Sequence, residues 1–300
     1  MLKLILTRTI INYGGQFYLN NTIFSLCSSA TSGGAIFVDH SSSNLFMINL
    51  AFDRCSTNEL GGAMYIMQAN NCYLVKSCFY KCTANQINAV LIYGSQYFVA
   101  KVNVNMTDEF CPYVNLECSV YSSSNTYCTL NNYSKSTTTY LCAGCYFSSN
   151  VNDQISTYCQ VCDCKGPAFL GIWKTSKSTN SYMNFINNSV YFSWIELIEA
   201  SLNPVLIGIV FKKNNITSLV RHISASGVPV FQGCSFDTAN VFGTYIDHSI
   251  NTFQSSKTLI PMDFLNTFYC WDNSTQYISF HLNRKSNFFA NCFVIFIVNF

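Results

Sequence analysis

Short runs in which apolar and polar residues alternate, separated by clusters of Ser, Asn and Gly, cover most of the chain. In the run that ends at Phe52, the apolar residues Phe46, Ile48 and Leu50 stand two positions apart. The run that ends at Phe79 has a similar alternation. A period of two residues is typical of β-strands, and no stretch sustains the 3.6-residue period of an amphipathic helix. The pattern therefore predicts an all-β protein made of short strands.

One phrase recurs three times in the first third of the chain. A Phe is followed three residues later by a Cys, and six residues after the Cys two of the copies read Gly-Gly-Ala. The first and second copies are 28 residues apart, and the second and third are 27 apart. The repeated residues are Phe24, Cys27, Gly33, Gly34, Phe52, Cys55, Gly61, Gly62, Phe79 and Cys82. Because several positions recur together, we interpret the phrase as a structural repeat.

A variant of this phrase, with Asn in place of Cys, occupies the C-terminal third. Its members have the form Phe-x-x-Asn, and they are Phe185 with Asn188, Phe211 with Asn214, and Phe288 with Asn291. Phe236 and Phe264 fill the gap in the series, at intervals similar to those of the first copies. The same repeat is therefore predicted at both ends of the chain.

The length of the repeat predicts a parallel β-helix, in which each coil lies on the previous one. A unit of about 26 residues cannot bury its apolar face alone and must stack on its neighbours. Equivalent residues of successive coils then lie about 4.8 Å apart. We expect an interior column of Phe rings, a tight corner at Gly-Gly, and a ladder of hydrogen bonds between repeated Asn side chains. The repeated Cys residues are expected to be small buried thiols, with metal or redox chemistry as the alternative.

The pairing of Phe-x-x-Asn with Gly-Gly-Ala-Ile, which begins here at Gly33, resembles the repeat of the chlamydial polymorphic outer-membrane proteins. It is also similar to related right-handed β-helix surface proteins of protists, within the pectin-lyase-like superfamily. The resemblance extends from Phe17 to about Val104 and, more loosely, from Phe185 to Phe300. It implies a right-handed, three-faced solenoid displayed outside the cell, often in adhesion, and it implies no particular reaction. The chain departs from the family in its Phe-x-x-Cys copies and lacks the membrane-anchoring ends.

A cysteine-rich segment separates the two groups of repeats. We predict N-terminal β-helix coils over residues 1–106, a cysteine-rich insert or irregular coils over 107–164, and C-terminal β-helix coils over 165–300. Eight cysteines fall between residues 111 and 164, namely Cys111, Cys118, Cys128, Cys142, Cys145, Cys159, Cys162 and Cys164.

Two kinds of chemistry fit these cysteines. In a cytosolic protein the spacing of Cys142, Cys145, Cys159 and Cys162 would suit a zinc site with four thiolates. Outside the cell, eight cysteines in a short segment are typical of four disulfides that hold a loop-rich insert. We favour disulfides, because the resemblance and the Asn-x-Ser/Thr sequons both indicate an extracellular or cell-surface glycoprotein. The candidate glycosylation sites are Asn20, Asn105, Asn132, Asn187, Asn215 and Asn273.

The composition narrows the classes of partner. Charged residues make up 10% of the chain, against roughly 25% in ordinary soluble proteins. The net charge of +2 and the lack of a basic run argue against nucleic acid. Neither end contains a complete signal peptide or membrane-spanning helix. We therefore expect membrane association only through segments that this sequence does not contain, and the chain is interpreted as a possible fragment of a longer protein.

Few residues carry a recognisable catalytic pattern. Glu196 with Glu199 and Asp247 with His248 are the most noticeable polar pairs. The first pair is interpreted as solvating one strand or short helix, and the adjacent residues of the second would face opposite sides of a strand. No nucleotide-binding or hydrolase motif is present, the four His show no metal-ligand spacing, and no cofactor is predicted. We therefore predict a non-catalytic surface or secreted protein that acts in adhesion or binds a host, matrix or glycan ligand. The alternative is a degenerate or active polysaccharide lyase or hydrolase of the pectin-lyase-like class.

Overall fold

The structure is a computed structural model that describes residues 3–85, 90–105, 118–129, 132–134, 142–148, 154–166, 168–173, 178–190, 195–198, 203–215, 220–223, 228–237, 252–254 and 259–260. In chain order its strands are β1 (Lys3–Ile5), β2 (Thr9–Ile11), β3 (Gly15–Ser25), β4 (Ser28–Ser29), β5 (Ile36–Asp39), β6 (Ser43–Asp53), β7 (Ser56–Thr57), β8 (Met64–Tyr80), β9 (Val90–Asn105), β10 (Cys118–Thr129), β11 (Asn132–Ser134), β12 (Cys142–Ser148), β13 (Gln154–Thr157), β14 (Gln160–Cys162), β15 (Lys165–Gly166), β16 (Ala168–Trp173), β17 (Ser178–Ser181), β18 (Asn184–Ile186), β19 (Ser189–Val190), β20 (Ile195–Ile198), β21 (Val205–Ile207), β22 (Val210–Lys212), β23 (Val220–Ile223), β24 (Val230–Phe236) and β25 (Thr252–Gln254). The described residues include no helix of the length and apolar character needed to cross a membrane.

Most of the strands form three ladders, while β4 with β7 and β15 with β19 form two separate pairs, and every pairing is parallel. The first ladder contains β2, β5, the first parts of β8, β9 and β10, and then β12, β16, β20 and β23. The second contains the first halves of β3 and β6, the central parts of β8 and β9, the end of β10, and then β13, β17, β21 and β24. The third contains β1, the second halves of β3 and β6, the ends of β8 and β9, and then β11, β14, β18, β22 and β24. The chain therefore winds as a parallel β-solenoid, and the prediction of an all-β, parallel β-helix is confirmed.

The Phe residues of the repeat form a column inside the N-terminal coils. Phe24 pairs in register with Phe52, and Phe52 pairs with Phe79. The ring centroids are 5.1 and 4.6 Å apart and the planes are nearly parallel. All three side chains are fully buried. Stacked aromatic pairs add about 0.5–1.5 kcal/mol each to the free energy gained by burial, so this column stabilises the contact between one coil and the next.

The C-terminal coils contain the same column. Phe185 stacks on Phe211 with ring centroids 5.0 Å apart, and Phe211 stacks on Phe236 at 4.4 Å. The strands between the two columns, β10 to β14, stay paired in parallel with the coils on either side. The described part of the cysteine-rich segment therefore continues the solenoid and shows no interruption of it.

Single residues in the left-handed region turn the chain from one ladder to the next. Asn49, with φ of 58°, separates the two halves of β6. Because this residue does not continue the alternation, Phe46 points outward whereas Leu50 and Phe52 point into the core. The alternation between residues 46 and 52 thus does not mark one face. The residues other than Gly that have positive φ are Asn21, Leu26, Asn49, Arg54, Lys81, Tyr158, Asp163, Tyr182, Asn187 and Lys213.

The Gly-Gly corners need glycine for two different reasons. Gly33 and Gly61 have φ of 75° and 66°, a region that residues with a side chain rarely adopt. Gly34 lies against the next coil, where a Cβ atom would come within 2.2 Å of the Gly62 carbonyl oxygen. The corner predicted from the repeat is therefore set by backbone conformation at its first glycine and by close packing at its second.

Candidate functional site

An ordered row of aromatic side chains lies on the outer surface of the second ladder. Tyr18, Phe46 and Tyr73 are in register on β3, β6 and β8. Their ring centroids are 4.9 and 5.1 Å apart, and the planes are within 11° of parallel. Tyr18 is 68% exposed, and the other two side chains are partly exposed. The row is the outer counterpart of the interior Phe column.

A row of amide side chains runs beside the aromatic row, two residues earlier on each strand. Gln16, Asn44 and Asn71 are in register. The Asn71 amide nitrogen donates to Asn44 Oδ1 at 2.6 Å, and the Tyr18 hydroxyl donates to Gln16 Oε1 at 2.8 Å. Gln16, Tyr18, Asn44, Phe46, Asn71 and Tyr73 together are called the aromatic–amide face. It is an uncharged surface that combines flat apolar groups with hydrogen-bonding groups.

The aromatic rings of this face present their edges to solvent, because their planes stack on one another. Tyr18 lies at the first-coil end of the row, and its ring is stacked on Phe46 on one face only among the described rings. Burial raises the pKa of the Tyr73 hydroxyl, so this group is a neutral hydrogen-bond donor near neutral pH. The face can therefore bind polar ligands at its ring edges and amides, and an apolar ring at Tyr18.

The outer surface of the third ladder is covered in several places. Ile23, Ala51 and Cys78 are in register between inward-pointing neighbours, and all three are nevertheless buried. Cys78 is disulfide-bonded. On the same ladder, Asn184 exchanges two hydrogen bonds with the backbone of Ile260, at 2.8 and 3.1 Å. The second ladder therefore has the more accessible outer face.

The repeated Cys residues make the same hydrogen bond that Asn makes in the C-terminal coils. The Cys55 thiol donates to the Phe24 carbonyl oxygen of the preceding coil at 3.5 Å. The Asn214 amide donates to the equivalent Phe185 carbonyl oxygen at 2.9 Å. Asn214 Oδ1 also accepts a bond from the Asn188 amide at 3.1 Å, which is the predicted Asn ladder. The two residue types are thus structural equivalents at one corner of the coil.

The buried thiols of this corner are poor nucleophiles. Cys27, Cys55 and Cys82 are free and fully or almost fully buried. A hydrogen bond with Cys55 and burial raise the pKa of the Cys27 thiol. For Cys55, the hydrogen bond with Cys27 lowers the pKa, but the bond with Cys82 and burial together outweigh it and raise the pKa. Since the thiolate is the reactive form, these side chains serve packing.

The disulfide prediction is wrong for three of the eight cysteines of the cysteine-rich segment. Cys159, Cys162 and Cys164 are thiols. The first and third donate to carbonyl oxygens of their own turns at 3.5 and 3.3 Å, and Cys162 donates to Asp163 Oδ2 at 3.3 Å. The physical reason is the stacking of coils, which aligns Cys164 with Asn188 of the next coil instead of another cysteine. The side chains of Cys111, Cys118, Cys128, Cys142 and Cys145 lie outside the described part.

The cysteines of the alternative zinc site lie on two different ladders of the solenoid. Cys142 and Cys145 lie on β12 of the first ladder, whereas Cys159 and Cys162 lie in and next to β14 of the third. These strands do not pair with each other. Within the described residues, no group of three or more His, Cys, Asp or Glu could hold a metal ion.

Asp53 and Glu59, two of the described carboxylates, are engaged in structural contacts. Asp53 accepts bonds from the Arg54 guanidinium, with a shortest distance of 2.8 Å, and from the Ser25 hydroxyl at 3.0 Å. Glu59 accepts bonds from the backbone and hydroxyl of Ser32 at 3.0 and 2.9 Å. The side chains of the pairs Glu196 with Glu199 and Asp247 with His248 lie outside the described residues.

Three of the candidate glycosylation sites have exposed side chains, and they are Asn20, Asn187 and Asn215. Asn187 donates to Asp163 Oδ1 at 2.6 Å and occupies one of the left-handed corners. Asn105 and Asn132 end and begin strands of the third ladder, and Asn273 lies outside the described residues.

Sequence reasoning missed the aromatic–amide face. The signal was present in the recurrence of an aromatic residue two positions after an amide, at intervals of 28 and 27 residues. This signal was hard to recognise because the left-handed residue Asn49 interrupts the alternation of outward and inward side chains within its coil. No protein-family model matches this chain, and the comparisons with curated proteins and with solved structures found no match either.

Proposed function

We propose that this chain is a non-catalytic β-helix protein, secreted or displayed at a cell surface, that binds an extended ligand through the aromatic–amide face. The observation that carries the proposal is the register of this face, where rings about 5 Å apart lie beside a parallel row of amides. A ligand whose own groups repeat along its length can contact equivalent groups on successive coils. Tyr side chains are enriched at recognition surfaces because they combine an apolar body with a polar tip.

The chemistry of the face favours a polar, weakly charged ligand. The face has no ionised side chain, so a polyanion or polycation gains little from long-range attraction. Its amide groups can both donate and accept hydrogen bonds. These properties suit a host, matrix or glycan ligand. The resemblance of the Phe-x-x-Asn and Gly-Gly-Ala-Ile repeats to right-handed, pectin-lyase-like surface proteins supports the same proposal and an extracellular location.

The test is a glycan-array and cell-binding experiment with the purified chain. The variant with Tyr18→Ser and Phe46→Ser should lose binding at least about tenfold, since aromatic anchors contribute more than 1 kcal/mol each at binding sites. The matched control is the variant with Tyr158→Ser and Tyr182→Ser. These two residues are also exposed and stacked, 5.3 Å apart, but they lie at a corner of the C-terminal coils.

The outcomes separate the two function classes. Equal loss of binding in both variants would contradict a role for the aromatic–amide face. A polysaccharide depolymerisation assay runs beside the binding experiment. Depolymerisation that disappears on substitution of one acidic residue would instead establish the carbohydrate-active enzyme.

A further inference from the structure

The aromatic–amide face alternates in chemistry from one coil to the next. Its aromatic row consists of Tyr18, Phe46 and Tyr73 on successive coils, so the first and third rings carry a hydroxyl group and the second does not. The ring centroids of neighbouring coils are 4.9 and 5.1 Å apart. The two hydroxyl-bearing rings are therefore separated by two coils, or about 10 Å. A ligand that fits this row repeats its polar groups over the same distance.

The amide row determines which polar group the middle coil offers to a ligand. Asn44 Oδ1 accepts hydrogen bonds from the side-chain amides of Asn70 and Asn71, at 3.1 and 2.6 Å. Both lone pairs of this oxygen are therefore used, and the amide nitrogen of Asn44 is the group that can bind a ligand. The middle coil thus offers an N–H donor beside the Phe46 ring, whereas the coils on either side of it offer Tyr hydroxyl groups.

We propose that the ligand of this face is an uncharged chain of β-1,4-linked, N-acetylated sugars that lies along the axis of the solenoid, with one sugar on each coil. This inference rests on the proposed function and specifies its ligand. An extended chain of β-1,4-linked sugars advances by nearly one coil spacing per sugar, and each sugar is rotated by half a turn relative to the previous one. One edge of the chain therefore presents acetamido and hydroxymethyl groups in alternation, with a repeat of two sugars.

The alternation of the sugar chain matches the alternation of the face. A sugar on the middle coil directs its acetamido carbonyl oxygen to the amide nitrogen of Asn44, and its acetamido methyl group contacts the edge of the Phe46 ring. The sugars on the neighbouring coils then present hydroxymethyl groups to the hydroxyls of Tyr18 and Tyr73. An amide carbonyl is a stronger hydrogen-bond acceptor than a sugar hydroxyl, which favours N-acetylated sugars over unmodified ones.

Other extended polymers fit the spacing or the chemistry of the face less well. Side chains on one side of an extended peptide recur about every 7 Å, which is out of step with the coils. A nucleic-acid strand or an acidic polysaccharide carries a charge on every unit, and the face has no ionised side chain to pair with it. Sugars in α-1,4 linkage form a curved chain, whose equivalent groups do not remain in one straight row.

The experiment measures the binding of soluble saccharides to the purified full chain by isothermal titration calorimetry. The probes are the β-1,4-linked pentamers of N-acetylglucosamine and of glucose, the α-1,4-linked pentamer of glucose, and polygalacturonate. The N-acetylglucosamine pentamer should bind most tightly. The β-linked glucose pentamer should bind about fivefold more weakly, because the hydrogen bond to Asn44 is weakened. The α-linked and acidic probes should bind more weakly than both.

Two variants test the assigned contacts one at a time. Tyr73→Phe keeps the stacked ring but removes its hydroxyl, and it should weaken binding of the N-acetylglucosamine pentamer about fivefold. Asn44→Leu removes the amide donor, so the two β-linked pentamers should then bind with equal affinity. The matched control is Tyr65→Phe, which removes a hydroxyl from the same strand, β8, on the outer side of the first ladder beside Phe37. This control should bind as the unmodified chain does.

The outcomes separate this inference from the proposed function on which it rests. The inference is overturned if the N-acetylglucosamine pentamer does not bind, if an α-linked, acidic or protein ligand binds more tightly, or if Tyr73→Phe and Tyr65→Phe have equal effects. If the ligand that does bind is lost in the variant with Tyr18→Ser and Phe46→Ser, the face still binds an extended ligand and only the sugar assignment is wrong. If that variant binds every ligand as the unmodified chain does, the function proposed for the face is wrong as well.

Discussion

The N-terminal and C-terminal coils solve the same structural problem with different side chains. In both, the residue three positions after the column Phe must donate a hydrogen bond to the carbonyl oxygen of the preceding coil. Cys82 does so with a thiol at 3.6 Å, and Asn188 does so with an amide at 2.9 Å. The amide also bonds to its equivalent in the next coil, at 3.1 Å. The comparison shows that the backbone determines where this hydrogen bond to the preceding coil forms, whereas the donor can be either a thiol or an amide.

The interiors of the two regions differ in a related way. On the second ladder, the N-terminal coils bury apolar side chains such as Leu45 and Met47. The equivalent positions of later coils bury Gln154, Ser178 and Asn180. The Gln154 side chain bonds to both of the other two, and Asn180 donates to the Ser178 hydroxyl at 3.0 Å. Polar groups are tolerated here because they satisfy one another inside the coil.

The largest expected effect tests whether the two regions share one kind of core. Phe52→Ala should lower the free energy of unfolding by about 3–5 kcal/mol, because it leaves a cavity between two stacked rings. Phe211→Ala should cost a similar amount in the C-terminal coils. Urea unfolding followed by circular dichroism measures both. A large effect for Phe52→Ala alone would mean that the C-terminal column contributes little to stability.

A smaller effect distinguishes the corner with the repeated Asn residues, the amide corner, from the corner with the repeated Cys residues, the thiol corner. Asn188→Ala should cost about 2–3 kcal/mol, because it leaves the Val161 carbonyl and the Cys164 N–H without their buried partners. Cys55→Ala should cost about 1 kcal/mol, since the thiol is a weak donor. Asn188→Cys serves as the control and should recover part of the loss. Equal costs for the two alanine variants in urea unfolding would contradict the difference in bonding.

The smallest effect is a pH dependence confined to the thiol corner. The pKa values of Cys27 and Cys55 are raised in the folded protein, whereas in the unfolded chain thiols titrate near about 8.5. Above that pH the unfolded state binds fewer protons, so stability should fall as pH rises, by at most about 1.4 kcal/mol per pH unit for each thiol. Urea unfolding between neutral pH and pH 10, without oxygen, measures this slope. Cys55→Ala should reduce the slope and Asn188→Ala should leave it unchanged; the opposite pattern would be inconsistent with buried thiols.

Much of the fold could be predicted from spacing alone. Residues that recur every 27 or 28 positions must occupy equivalent places in a stacked structure, and the Phe24, Phe52 and Phe79 rings do stack. The Asn ladder at Asn188 and Asn214 follows from the same logic. These features were accessible because each depends on one repeated residue in one column.

The features that escaped prediction depend on relations between columns. The left-handed residues are chemically diverse, as Leu26, Arg54 and Lys81 show, so no residue type marks them. Without them the side of the coil on which Phe46 lies cannot be assigned. The thiols of Cys159 and Cys164 were misassigned because cysteine count does not reveal which residue stacks on each one. The number of cysteines in a segment favours disulfides or a metal site, whereas the register of the stacked coils determines which side chain lies next to each cysteine.

The left-handed corner before the Cys or Asn position has one further consequence. Its backbone is held in place by the bonds of the neighbouring coils, while its side chain takes no part in the core. An apolar, a basic, an acidic and an amide side chain occupy this position at Leu26, Lys213, Asp163 and Asn187, with φ between 52° and 55°. One edge of the solenoid therefore carries a series of surface positions at which the side chain can be substituted without a change in the backbone conformation.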